Sequence, residues 1–164
     1  MERFEQIYEE HRDAVRAFVR RRAPESVVDD VVSETFLVCW RRLERVPDEP
    51  LPWLYGVARK TLANQRRRLE REERLGTAAS APAAAEPDPV GDTALAAAFA
   101  ALSERDREVL RLVAWEGLSL GQASVVLGCS AVACRVRYHR AKARLARRLE
   151  AAANFRPDLK GATR

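Results

Sequence analysis

Apolar side chains recur at three- and four-residue intervals from the first residues of the chain. Phe4, Ile7, Tyr8, Val15, Phe18 and Val19, with His11 on the same stripe, predict a helix that ends at Arg20-Arg21-Arg22 before Pro24. Ser26, with Asp29 three residues on, is read as the cap of a second helix running to about Arg45. A loop rich in proline (Pro47, Pro50, Pro52) follows. Leu51, Leu54, Tyr55, Ala58, Leu62, Gln65 and Leu69 then form the stripe of a third helix, which ends around Arg66-Arg67-Arg68.

The far half of the chain carries four shorter patterns, each opened by a capping residue. Asp92 is placed to cap Thr93–Leu102, and Ser103 with Asp106 to cap a helix that Gly117 terminates. Ser119 and Gln122 form a capping box for a third, stopped by Gly128. Ser130 caps the last, from Ala131 to about Leu149. Two helices joined around Gly128-Cys129-Ser130 make a helix-turn-helix by pattern. Strand alternation is absent, so the predicted fold class is all-α.

Composition divides the chain further. Residues 76–93 hold three prolines, two glycines and six alanines, too little to pack, and are read as a linker. The expected organisation is a first domain over residues 1–75, the linker over 76–93, a second domain over 94–150 and a short tail over 151–164. Residues 1–75 carry 16 basic and 15 acidic side chains, a net of +1, whereas 94–164 carry 13 and 6, a net of +7. A basic C-terminal third points to nucleic acid, through attraction that carries no sequence information by itself.

Other classes are excluded on simple grounds. No apolar run approaches the roughly 18 residues of a membrane span, and the acidic N-terminus lacks the apolar core of a secretory signal. Cys39, Cys129 and Cys134 are too few and uneven for a disulfide framework, which suits a cytoplasmic protein. Cys134 and His139 lie about 140° apart around a helix and do not converge on a metal. No catalytic constellation or phosphate loop stands out, so neither an enzyme nor a cofactor or small-molecule substrate is expected.

Three faces carry the functional signal. On the last helix Cys134, Tyr138, Ala141, Leu145 and Leu149 make a core stripe, and Val136, His139, Arg140, Ala143 and Arg147 lie opposite, flanked by Arg135 and Arg137. A recognition helix needs donors that reach base edges near its start and further cations for phosphates. On the second helix Val28, Val31, Val32, Thr35, Phe36, Cys39 and Leu43 face inward. Asp30, Ser33, Glu34, Leu37 and Arg41 face outward, with Trp40 at the border. An exposed Leu framed by acids suits a basic helical partner. The third helix places Arg59, Lys60, Asn64 and Arg66-Arg67-Arg68 near Trp53, a pairing of cations and aromatics that suits single-stranded DNA. Tyr55 is read as core.

In order, these segments resemble a bacterial RNA polymerase sigma factor of the extracytoplasmic-function group, within the sigma-70 family. Asp29-Asp30-Val31-Val32-Ser33-Glu34-Thr35-Phe36-Leu37-Val38-Cys39-Trp40 is similar to region 2.2. Trp53-Leu54-Tyr55-Gly56-Val57-Ala58-Arg59-Lys60, with Asn64 and Arg66-Arg67-Arg68, is similar to regions 2.3–2.4. Leu102-Ser103-Glu104-Arg105-Asp106-Arg107-Glu108-Val109-Leu110 and Glu116-Gly117-Leu118-Ser119 look like region 4.1 entering 4.2, and Val136–Leu145 like its recognition helix.

The resemblance implies a division of labour. Asp30, Ser33, Glu34, Leu37 and Arg41 would dock on the clamp helices of the polymerase β′ subunit. Asp48, Glu49, Trp53, Lys60, Asn64 and Arg67 would capture the melted −10 element. Arg135, Val136, Arg137, His139, Arg140, Lys142 and Arg144 would read the −35 duplex, with the second domain also on the β flap. The linker would thread toward the RNA exit channel. Catalysis would belong to the polymerase, and control to an anti-sigma or other partner, since the residues after the last helix are too few for a regulatory domain. The chain would be cytoplasmic and, bound to polymerase, at the nucleoid. Ser33, Lys60, Gln122, Ala123, Cys134 and Val136 depart from the usual pattern, and leave the promoter sequence open. Two rival readings stand: a conventional helix-turn-helix regulator with an N-terminal sensing or dimerisation domain, and an adaptor whose basic helix binds an acidic protein.

Overall fold

The computed structural model describes residues 1–76 and 93–154, so most of the expected linker, the Asp92 cap and the end of the tail lie outside the described residues. Within them the order is α1 (Glu2–Arg20), α2 (Glu25–Arg41), a 3-10 turn (Leu43–Arg45), α3 (Pro50–Arg74), α4 (Thr93–Ala100), α5 (Glu104–Ala114), α6 (Leu120–Leu127) and α7 (Ala131–Asn154). There is no strand among the described residues.

The first three helices pack on one another around Val15, Phe18, Val28, Val31, Cys39 and Leu54, all buried. The predicted inner face of α2 is the buried one: Val28 to Cys39 are inside, and Leu43 is half-buried. The ends differ from expectation. Pro24, extended at φ −63° and ψ 151°, precedes α2 in the capping position without a side-chain bond, and Ser26 lies inside the helix. The chain tightens into the 3-10 turn after Arg41, where the guanidinium of Arg3 donates to the carbonyls of Leu43 (2.9 Å) and Val46 (2.6 Å).

The proline loop is also shorter than predicted, because α3 begins at Pro50 and takes Trp53 into the helix. Pro50 and Pro52 sit in a first turn, whose N–H groups have no intrahelical acceptor to lose. At the other end α3 outruns its predicted stop by several residues, to Arg74. Its polar continuation is laced by pairs such as Arg68–Glu72, 3.1 Å apart.

The second unit follows its capping signals closely. Asp106 N donates to Ser103 Oγ (3.2 Å), and Ser119 and Gln122 close a full capping box. Gly128 ends α6 in the left-handed region at φ +64°, and Ala133 N donates to Ser130 Oγ (3.1 Å) to open α7. Helices α4, α5 and α6 all pack on α7, over Val109, Leu112, Ala123, Cys134 and Ala141. Helix α4 stops at Ala100, before the predicted Leu102, and α7 continues to Asn154 beyond the predicted Leu149.

The two units do not stand apart. Helix α3 lies against α6, and Gly56 makes the approach possible: a Cβ there would sit 3.7 Å from the Cα and carbonyl oxygen of Val126. Any side chain longer than a methyl would meet that backbone.

Candidate nucleic-acid interface and docking face

Helix α7 presents the arrangement its sequence predicts. Cys134 and Ala141 are fully buried, Tyr138, Leu145 and Leu149 half-buried, and Arg135, Val136, His139, Arg140 and Lys142 exposed. Burial, and then the neighbouring Cys129, pushes the Cys134 thiol up. Because Cys134 is inside and His139 outside, the two do not share a face. Among the described residues no three His, Cys, Asp or Glu side chains form a metal-holding set.

The cations of α7 differ in freedom. Val136, Arg137, Arg140 and Arg144 line a groove of about 450 Å³ against the start of α5. Within it Arg144 donates to Asp106 at 2.7 Å, so it is tied to its own core rather than projecting freely. Arg105, on the first turn of α5, lines the same groove. Sequence reasoning placed Arg105 only inside a motif. Its signal was its place at a helix N-terminus, where cations are unfavourable to the helix dipole and so invite another explanation.

The residues assigned to the −10 element fall along α3 and the turn before it. Lys60, Asn64 and Arg67 are exposed on successive turns, and Trp53 is half-buried. Arg67 Nη2 donates to Asn64 Oδ1, which sets the two side chains side by side. Trp53, Lys60 and Asn64 share a groove of about 640 Å³ with Asp30 and Glu34 of α2. Asp48 is exposed, whereas Glu49 accepts a hydrogen bond from Gln122 Nε2 of the second unit.

On α2 the outward set is exposed as predicted: Asp30, Ser33, Glu34, Leu37 and Arg41. Leu37 is 40% and Trp40 47% exposed, large values for residues of their type. Phe4 meets Trp40 edge-on at 5.0 Å and Tyr8 meets Phe36 at 4.8 Å, so an aromatic row flanks the acidic-apolar face.

The chain matches two family models, Sigma-70 region 2 over residues 7–72 and Sigma-70 region 4 over residues 92–145. It is 34% identical over 145 residues to the RNA polymerase sigma factor CnrH of Cupriavidus metallidurans, covering 78% of this chain and 76% of that protein. A solved structure of CnrH in complex with the cytosolic domain of CnrY superposes at a TM-score of 0.61, with 31% identity and coverage of 90% and 88%. The ECF RNA polymerase sigma factor SigL of Mycobacterium tuberculosis is 28% identical, with 81% of each chain covered. The sigma factor RpoE of Bartonella quintana, solved with the anti-sigma factor NepR, shares the fold at a TM-score of 0.65, 22% identity and coverage of 92% and 98%.

The chain belongs to the extracytoplasmic-function group of sigma-70 RNA polymerase sigma factors.

In this sigma factor the most deeply buried ion pairs among the described residues belong to neither of the expected DNA faces. They lie where the two units meet. Arg22 Nε stands 3.1 Å from Glu108 Oε1, and its Nη1 donates to Glu116 Oε1 at 2.8 Å and to the carbonyl of Phe18 at 2.9 Å. Arg21 grips the same Glu116, with Nε at 3.2 Å and Nη2 on the other oxygen. The Arg22, Glu108 and Glu116 side chains are only 4%, 9% and 2% exposed.

Aromatic groups complete the cluster. The Arg22 guanidinium lies 3.7 Å over the Phe18 ring, which stacks on Tyr55 at 4.4 Å and 12°. Burial, reinforced by Glu116 and opposed by Arg21 and Arg22, pushes the Tyr55 phenol up to about 12. Arg66 donates to the Arg22 carbonyl at 3.0 Å. The arginine run at residues 20–22 reads in sequence as a mere helix stop.

Proposed function

We propose that this sigma factor binds core RNA polymerase and directs initiation at promoters whose two elements its two units recognise. Asp30, Ser33, Glu34, Leu37 and Arg41 dock on the β′ clamp helices. Trp53, Lys60, Asn64 and Arg67, with Asp48 and Glu49, hold the melted −10 strand. Arg135, Val136, Arg137, His139 and Arg140 read the −35 duplex, with Lys142 and Arg144 on its backbone. The domains run over 1–75 and 94–150. The chain supplies recognition, and the polymerase, in the cytoplasm, supplies the chemistry.

The observation that carries this reading is the pairing of two unlike faces on one chain matched in both sigma regions. An exposed basic helix face backs onto the buried stripe of α7, and an exposed acidic-apolar face backs onto the buried stripe of α2. A conventional regulator accounts for the first face and leaves the second without a use. Control by a protein partner is part of the proposal, supported by the complexes of CnrH with the cytosolic domain of CnrY and of RpoE with the anti-sigma factor NepR.

The test is transcription in vitro with purified core polymerase on genomic DNA, sequencing the RNA 5′ ends. New start sites sharing two upstream elements are expected. Leu37→Asp removes core binding while the fold persists, because the side chain it replaces is 40% exposed and lies outside the buried stripe of α2. Arg140→Ala leaves core binding intact and weakens −35-dependent binding by about 1–3 kcal/mol. No new start sites, together with duplex binding by the full chain, would return the reading to a conventional regulator.

A further inference from the structure

The turn between α6 and α7 is held from both sides at Cys129. Its backbone N–H donates to the Ser124 carbonyl at 3.1 Å, and the Gly128 N–H donates to the Val125 carbonyl at 3.2 Å. These are the paired bonds that close a helix at a left-handed glycine. On the other side Ser130 Oγ accepts from Ala133 N at 3.1 Å, and the Ser130 carbonyl accepts from Cys134 N at 2.9 Å, which makes Ser130 the cap of α7. Cys129 therefore stands one residue before the cap and Cys134 four residues after it. Side chains at those two positions meet, and their contact fixes the angle at which the chain enters the helix. In this chain both are cysteines.

Cys134 is fully buried on the core stripe of α7, and Cys129 is half-buried and packed against the same core. Both are free thiols. From this juxtaposition we infer that Cys129 and Cys134 form an oxidation site, a dithiol that a hydroperoxide closes to a disulfide, and that the bond weakens the hold of α7 on DNA. The site itself rests on the geometry of the turn. Its effect on DNA rests on the function proposed above.

The two thiols take different parts. Cys129 is partly exposed, whereas burial, with Cys129 as the neighbouring group, keeps the Cys134 thiol protonated. Cys129 is thus the first to react. Its thiolate attacks one oxygen of the hydroperoxide and the O–O bond breaks. A sulfenic acid forms, and the departing oxygen leaves as an alcohol, or as water, with the proton the thiol gave up. Cys134 Sγ then attacks Cys129 Sγ, the S–O bond breaks, and hydroxide leaves as water with the Cys134 proton. Two thiols lose two hydrogens, and the hydroperoxide is reduced by two electrons. Cys39 is buried in the first unit, with both other cysteines in the second, and stays outside this reaction.

Closing the bond draws the two sulfurs inside van der Waals contact. Cys134 is fixed by the packing of α4, α5 and α6 on α7, so it is the turn that moves. Gly128 and Cys129 are pulled toward α7, and the angle between α6 and α7 shifts with them. The first turns of α7 carry Val136, Arg137 and Arg140 along the groove that Arg105 also lines. A recognition helix displaced from its bracing helix brings these side chains to the base edges out of register. An aliphatic pair at positions 129 and 134 would make the same contact and carry no such chemistry.

The test treats the reduced full chain with hydrogen peroxide, removes the peroxide and digests with trypsin without reductant. The peptide Leu112–Arg135 holds both cysteines and no internal Lys or Arg. The expected product is that peptide lighter by two hydrogens and closed to alkylation until dithiothreitol is added, with Cys39 still free. Oxidised chain, added to core polymerase and genomic DNA, should need about tenfold more protein for half-maximal initiation, the worth of one lost base contact. Dithiothreitol should restore the reduced value. Cys129→Ser and, independently, Cys134→Ala should initiate as the reduced wild type does and be indifferent to peroxide. A Leu112–Arg135 peptide that stays a dithiol, or that carries a sulfinic acid at Cys129 without a link, overturns the site. So does a disulfide formed between chains. Linked protein that initiates as well as the reduced form overturns the effect on DNA. Should no form initiate, reduced wild type included, the promoter-reading function fails, and the peptide mass alone decides the site.

Discussion

The interior of each unit and the junction between the units are built on opposite principles. Inside, Val15, Phe18, Val28, Val31 and Leu54 of the first unit, and Val109, Leu112, Ala123, Cys134 and Ala141 of the second, are fully buried and almost wholly apolar. At the junction the buried side chains include three charged ones, Arg22, Glu108 and Glu116. Burying one Val, Leu or Phe side chain is worth about 1.5–3 kcal/mol and demands no partner orientation. A buried ion pair demands orientation and is near break-even against replacement by apolar groups. The apolar interiors therefore set the stability of each unit, and the buried charges set the orientation in which the units meet.

The largest expected effect tests the interior side of that contrast. Phe18→Ala removes a fully buried ring that packs on Tyr55 and underlies Arg22. A loss of about 3–5 kcal/mol is expected in urea denaturation followed by circular dichroism, because large-to-small core changes forfeit both transfer energy and cavity contacts. The loss belongs to the first unit. If denaturation shows less than about 1 kcal/mol, Phe18 is a junction residue and the contrast is drawn in the wrong place.

A middle-sized effect comes from Tyr55, which sits on the boundary. Its phenol is held neutral by burial and by Glu116, with a folded-state pKa of about 12 against an ordinary value of 10. The raised value means that the folded state keeps a proton the unfolded chain has lost. Stability is thus whole below pH 10 and falls as pH rises from 10 to 12, by roughly 2–3 kcal/mol. Tyr55→Phe should flatten that fall in denaturation curves taken across the window. An equally steep decline in the variant would assign the alkaline loss to other groups.

How much of this was legible beforehand follows the same line. The apolar stripes placed the inner faces of α2 and α7 correctly, because burial acts on periodicity that the chain displays directly. Ser103, Ser119, Gly128 and Ser130 marked their helix ends, since a cap is satisfied within four residues of itself. Pro50 and Pro52 misled, because a proline that breaks a helix interior is at ease in a first turn. The junction was invisible. Arg22 meets Glu108 and Glu116 across 86 and 94 positions, and no local pattern pairs charges at such a range. The bond of Arg144 to Asp106 was hidden for the same reason: the two lie 38 positions apart, on different helices. Gly56 carried a signal, a small residue on a helix stripe, whose meaning depended on a helix some seventy residues further on.

The smallest prediction separates a local bond from one across the junction within a single side chain. Gln122 Oε1 accepts from the Ser119 backbone N–H at 2.9 Å, closing the capping box of α6, and its Nε2 donates to Glu49 of the first unit. Ser119→Ala removes the Oγ acceptor at 3.1 Å and spares the bond to Glu49. It should cost the second unit about 1 kcal/mol, as cap losses do, and leave the chain compact. Gln122→Ala costs a similar amount or less locally, because Ser119 Oγ still accepts from the backbone N–H at position 122, but it also cuts the bridge to Glu49. That bridge is exposed and worth at most about 0.5–1 kcal/mol. A change of that size alters the balance between joined and parted units two- to fivefold. The two variants should therefore melt alike and scatter differently, with only Gln122→Ala expanding. If Ser119→Ala expands the chain as much, the junction depends on the integrity of α6 rather than on bonds across it, and the line drawn between interior and junction dissolves at that helix.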